Sequence, residues 1–167
     1  MIKPEDLRIG DLVMVSNDNC MIPKGALCEV VAIDSERACE DKKGLADLLQ
    51  TVREEWEFSH GVWCNNIEGI PLTPELLKKN GFKEEQHQKE GTSEWYDYYH
   101  YDLGINIVYD IVYEVEEKES KFAVYLDGKK LREIKYIHEL QHLLFGLGLD
   151  NYMKMPKNYI LPKGSEK

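Results

Sequence analysis

The sequence predicts an α+β protein: an SH3-like β module over about residues 1–70, then a helix, an antiparallel β meander and a closing helix within residues 71–167. Three observations carry that prediction. Short β-branched runs broken by Gly and Pro fill the start of the chain, a stretch with both helix-start and helix-stop signals sits in the middle, and aromatic alternation followed by a helical apolar stripe occupies the second half. A chain of 167 residues suffices for one good core or two small ones.

In the first module, Leu7 to Val15 has apolar residues in near alternation, with Gly10 and Asp11 as a tight entry. Pro23, Lys24 and Gly25 break the chain before Leu27 to Ile33, a second β-branched run of the kind that suits a pleated sheet. Strand, Gly-containing turn and strand is how short SH3-like barrels often begin. From Ser35 to Lys43 the chain is polar, and Leu45, Leu48, Leu49 and Val52 then share one side of a short amphipathic helix. Helix and strand signals compete over residues 35–60, since Glu55 to Phe58 alternates and serves equally as strand.

The middle helix is marked at both ends. Thr73 can cap its free amides, Pro74 fits its first position, Glu75 complements its positive end and Gly81 can take the left-handed turn that stops it. Lys83 to Ser93 is charged and expected to be exposed. Glu94 to Tyr101 alternates with aromatic residues, and Ile105 to Val115 runs back as its antiparallel partner. Lys121 to Leu126 meets Asp127-Gly128, a strong two-residue hairpin signal, and Lys129 to Arg132 returns from it, for a meander of about four strands. At about 100° per residue, Tyr136, Ile137, Leu140, Leu143, Leu144 and Leu147 share the face of the last helix that would cover the sheet, and Gly146 and Gly148 end it.

The one string that spells a known chemistry lies in that last helix. His138-Glu139-Leu140-Gln141-His142 matches the H-E-x-x-H pattern by which zinc proteases place two ligands and a general base on one helix. The histidines fall almost opposite the apolar face, where an i, i+4 pair can reach one ion and Glu139 can polarise a bound water. The third ligand is missing: in the extended pattern the glycine position is Phe145 and the last histidine is Gly148, and only Asp150 and Glu166 supply acids beyond His142. The reading adopted is therefore a solvated helix face with no metal and no catalytic residue; a zinc hydrolase using His138, His142 and Glu139 is the alternative.

Other chemistries find less support. Cys20, Cys28, Cys39 and Cys64 contain no C-x-x-C, whereas zinc ribbons aim paired sulfurs from one tight turn, so the expectation is plain thiols in a reducing cytosol. Cys64 beside Trp63 with His60 nearby is no more than a formal nucleophile and base, because the fold and not adjacency assembles such pairs. Phosphate-binding and serine-nucleophile motifs are missing, so no cofactor is expected. No apolar run reaches the length of a membrane span and the N-terminus lacks the apolar core of a signal peptide, so a cytoplasmic protein without membrane contact is expected.

A net charge of -10 argues against binding nucleic acid through its phosphates. The charge is uneven. Residues 94–119 carry Glu94, Asp97, Asp102, Asp110, Glu114, Glu116, Glu117 and Glu119 against Lys118, while residues 120–167 are basic. Solubility explains this, and the sharper alternative is an acidic decoy offered to a nucleic-acid-binding partner.

Leu7 to Val13, Ile70 to Phe82 and Ile134 to Leu147, in that order, resemble a group of short uncharacterised proteins of gut Bacteroides-type bacteria and their phages and mobile elements. In members of that group the last stretch usually reads nearer to H-Q-L-Q-N, so the residues standing at Glu139 and His142 are not zinc-compatible there. The resemblance implies a source and an architecture but no catalytic residues. Three functional expectations follow. The first is a small non-catalytic protein of a phage or mobile element that binds a host or phage protein through Tyr96, Tyr98, Tyr99 and Tyr101, with a part for the N-terminal barrel; exposed tyrosine is typical of interfaces. The others are an acidic inhibitor of a defence nuclease and the zinc hydrolase.

Overall fold

The computed structural model describes residues 2–17, 22–39, 42–50, 58–91, 93–100, 104–113, 118–149, 151 and 153–155. They form an α+β protein of mostly antiparallel strands with two α-helices. They divide into two compact units, one drawn mainly from residues up to Pro71 and one over Leu72–Lys154. None of the described helices is long and apolar enough to cross a membrane.

In the first unit β1 (Leu12–Val15), β2 (Leu27–Cys39), β3 (Lys42–Gln50), β4 (Phe58–Trp63) and β5 (Ile67–Gly69) make one sheet in the order β4-β3-β2-β1-β5. A 3-10 turn at Cys64–Asn66 carries the chain from β4 to β5, which pairs back on β1 with Val15 opposite Ile67. Inward positions alternate along the strands: Val13 and Val15, Cys28 and Val30, Ala46 and Leu48, with Val62 and Ile67, pack in one core. At the entry to β1 the buried Asp11 accepts the Arg8 amide at 2.7 Å, and Gly10, at φ 93°, donates to the Val30 carbonyl at 2.7 Å.

The helix expected from Leu45, Leu48, Leu49 and Val52 is instead strand β3. In the strand Ala46 and Leu48 alternate into the core while Leu45 takes the other face, and pairing on both sides, with Ile33 opposite Ala46 and Ala46 opposite Val62, decides in favour of the sheet over the helical spacing of the leucines. Val52 lies outside the described residues.

The second unit opens with α1 (Pro74–Lys79), bounded as expected. The Leu76 amide donates to Thr73 Oγ1 at 3.3 Å, and beyond the helix Gly81 takes φ 87°. The Phe82 amide reaches the Leu77 carbonyl at 3.1 Å and that of Gly81 reaches Lys78 at 3.2 Å, the paired bonds of a Schellman turn. A meander follows: β6 (Lys83–Glu90), β7 (Ser93–His100), β8 (Ile105–Tyr113), β9 (Lys118–Leu126) and β10 (Lys129–Ile134), in sequence order across the sheet. It has one strand more than expected, because β6 carries eight polar residues that give no apolar alternation to read. Asp127 and Gly128, both at positive φ, form the β9–β10 turn. Tyr98 lies opposite Ile107, and Ile107 opposite Val124, in a buried row across the sheet.

The closing helix α2 (Ile137–Gly146) ends in a second Schellman turn, with Leu149 donating to Leu144 and Gly148 to Phe145. Its buried face differs from the expectation. Ile137, His138, Leu140, Gln141 and Leu144 are buried, whereas Tyr136 is 37% exposed. Tyr136 is the extended residue preceding the helix, so it drops out of the stripe and the buried arc turns towards His138 and Gln141.

Candidate functional site

The H-E-x-x-H segment begins α2, and its glutamate caps the helix. Glu139 Oε2 accepts the backbone N–H of Lys135 at 2.6 Å and that of Tyr136 at 3.1 Å, while Oε1 lies 4.0 Å from the Arg132 guanidinium. A glutamate at the third helical position reaching back to the amide before the helix is half of a capping box, so the carboxylate is engaged in capping. His138 is 5% exposed, its ring 5.6 Å from that of Tyr136, and the His142 ring meets it edge-on at 5.9 Å. His138 thus belongs to the buried face and not to a solvated one. Among the described residues no group of three or more His, Cys, Asp and Glu side chains is placed to hold a metal ion.

Cys64 is 1% exposed, and burial pushes its thiol above the usual value, away from the thiolate a nucleophile needs. Cys28 is likewise buried, and its thiol donates to the Ala26 carbonyl at 3.8 Å.

The tyrosines of β7 divide by the pleat. Tyr98 is 1% exposed and serves as packing; its hydroxyl donates to Glu84 Oε2 at 3.4 Å. Lys78 places its ammonium 2.8 Å from the same oxygen and 5.9 Å from the Tyr98 ring centroid. The Lys78 hydrogen bond holds the Glu84 carboxyl below its ordinary value, and burial, with Glu84 nearby, pushes the Tyr98 hydroxyl well above its own. One turn of pleat along, Tyr96 donates to Glu94 Oε1 at 2.6 Å and His87 Nε2 lies 2.8 Å from that oxygen, with the two rings stacked at 4.3 Å. Glu94 therefore commits its carboxylate inside the sheet, and desolvation raises the Asp97 carboxyl. Tyr99, half-buried, faces the opposite side of the sheet; Tyr101 lies outside the described residues.

A concavity lies elsewhere, in the first unit. A groove of about 600 Å³ runs over β2, β3 and β4, lined by Ala32, Ile33, Asp34, Leu45, Asp47, Gly61 and Trp63. Register assembles it: Asp34 lies opposite Leu45, and Leu45 opposite Trp63, so one row crosses three strands. Between Ala46 and Leu48 the β3–β4 pairing shifts, and the Gly61 amide donates to Asp47 Oδ1 at 2.8 Å. Gly61 sits at φ 66°, a conformation that costs glycine nothing. The irregularity sets a carboxylate beside a hydrophobic floor and an indole wall. Sequence reading singled out Trp63 only as a neighbour of Cys64 and missed the two aspartates, because no local spacing joins these residues.

No family model matches the chain, and neither the curated proteins nor the solved structures contain a match.

Proposed function

We propose that this chain is a small non-catalytic protein-binding module of a phage or mobile element, and that its first unit is an SH3-like barrel with the binding groove on β2–β4. The observation that carries the reading is the row Asp34, Leu45 and Trp63 at the edge of the groove. Tryptophan is the side chain most over-represented among residues that dominate binding energy, and an indole beside aliphatic carbon and carboxylates suits an amphipathic basic side chain of a partner. The SH3-like assignment is supported by the meander β1 to β4, the 3-10 turn after it and the return of β5 to β1. The phage or mobile-element source is supported by the three stretches that resemble such proteins. Engagement of Glu139 in capping and burial of Cys64 favour binding over catalysis.

The test is affinity capture from host lysate with wild type and Trp63→Ala, both checked for unchanged circular dichroism, at low and high salt. A protein retained by wild type and lost by Trp63→Ala supports the reading. Equal retention by both, or capture that vanishes with salt irrespective of Trp63, contradicts it, and the second result favours the acidic decoy.

A further inference from the structure

The outer edge of β6 has a property independent of the groove. β6 ends the second sheet, and all eight of its residues, Lys83–Glu90, are exposed. Its pairing with β7 shifts between Glu84 and Gln86, so Glu85 is an extra residue outside the ladder. The residues left in the ladder read Lys83, Glu84, Gln86, His87, Gln88, Lys89, Glu90. Folded about His87, this order sets Lys83 against Glu90, Glu84 against Lys89 and Gln86 against Gln88.

The faces agree as well. Glu84, His87 and Lys89 lie opposite Tyr98, Tyr96 and Glu94 of β7, on one side of the sheet, and Lys83, Gln86, Gln88 and Glu90 lie opposite Tyr99, Asp97, Trp95 and Ser93, on the other. Each matched pair therefore shares a face, as directly opposed residues of two antiparallel strands must. We propose that β6 is a self-pairing edge, through which two copies of this chain join antiparallel into one continuous sheet about a two-fold axis at His87.

Charged edge strands ordinarily keep sheets apart, because a second copy brings like charges together. The opposite edge behaves in that way: β10 carries Lys129, Lys130 and Arg132 against Glu133, so pairing with itself accumulates positive charge. The β6 ladder accumulates none, since each of its two lysines meets a glutamate. The central residues His87 and Gln88 lie beyond the bulge and Gln86 adjoins it, and stacking on Tyr96 with a 2.8 Å contact to Glu94 already fixes the ring of His87. Such an interface is isologous and closes at two copies.

Sedimentation equilibrium from micromolar to near-millimolar protein tests this, with wild type, Lys83→Glu, Glu90→Lys and their equimolar mixture. The expected result is a concentration-dependent species of twice the 19.5 kDa chain mass. Each single variant turns two cross-strand pairs repulsive and weakens self-association about tenfold, and mixing the two variants restores it, because each chain then supplies the charge the other lacks. Hydrogen exchange over residues 83–90 slows as concentration rises. A monomer at every concentration, growth beyond two copies, or a dimer indifferent to both variants overturns the proposal. The mixture keeps the test decisive, since two misfolded variants do not rescue each other.

Discussion

Glu139 Oε2 lies 2.6 Å from the backbone nitrogen of Lys135, the residue just before the extended Tyr136 that leads into α2. The contact accounts for the glutamate of the H-E-x-x-H string by helix capping, a role that needs no metal.

Glu139→Ala is accordingly expected to destabilise the fold by about 1 kcal/mol, the usual cost of a lost cap, and Glu139→Gln by less, because the amide oxygen still accepts the two N–H groups. Urea denaturation of the three proteins, with and without zinc, measures this. Zinc leaves the midpoints unmoved; a rise with zinc in wild type that His142→Asn abolishes contradicts the capping account.

Tyr98, Glu84 and Lys78 form one unit whose strength depends on pH. The Glu84 carboxyl is held low when folded, so its contribution is present above the ordinary carboxylate value and disappears as pH falls through the folded value. Because Glu84 is partly exposed, a double-mutant cycle of Lys78→Met and Glu84→Gln is expected to yield no more than about 1 kcal/mol near neutrality and nothing in acid. An undiminished coupling at low pH contradicts the assignment.

The Tyr98 hydroxyl is pushed the other way, so its contribution is complete at neutral pH and is lost only as alkali ionises it. In an ultraviolet titration of the ten tyrosines, one ionises last, with unfolding, and Tyr98→Phe removes that step. Tyr98→Phe costs about 1 kcal/mol for the hydrogen bond, whereas Tyr98→Ala, which empties a site only 1% exposed, costs about 3 to 5 kcal/mol.

Cys28 and Cys64 are buried, and the raised Cys64 thiol resists deprotonation. Both are expected to resist a maleimide in the native state and to label on unfolding, as peptide mapping by mass spectrometry reads out; rapid native labelling of Cys64 contradicts its placement in the core.

What was legible in the sequence is what local chemistry determines. Thr73, Pro74 and Gly81 bound α1 through contacts within a few residues, and Asp127-Gly128 turns a hairpin wherever strands flank it. What was not legible depends on partners distant in the chain. The helical spacing of the β3 leucines hides the alternation of Ala46 and Leu48 until pairing with β2 and β4 selects the strand, and β6 has no buried face of its own. The buried arc of α2 turned on where the helix starts, since Tyr136 lies before it. Nothing local foretold the groove, because Asp34, Leu45, Asp47 and Trp63 meet only through strand register and one bulge.

The most direct test of the binding account is calorimetric titration of the captured partner against wild type, Trp63→Ala and Tyr99→Ala. The groove predicts at least a tenfold loss of affinity for Trp63→Ala, the size expected of a central aromatic anchor, and little change for Tyr99→Ala. Unchanged affinity for Trp63→Ala with a large loss for Tyr99→Ala would place the interface on the tyrosine strand and contradict the account.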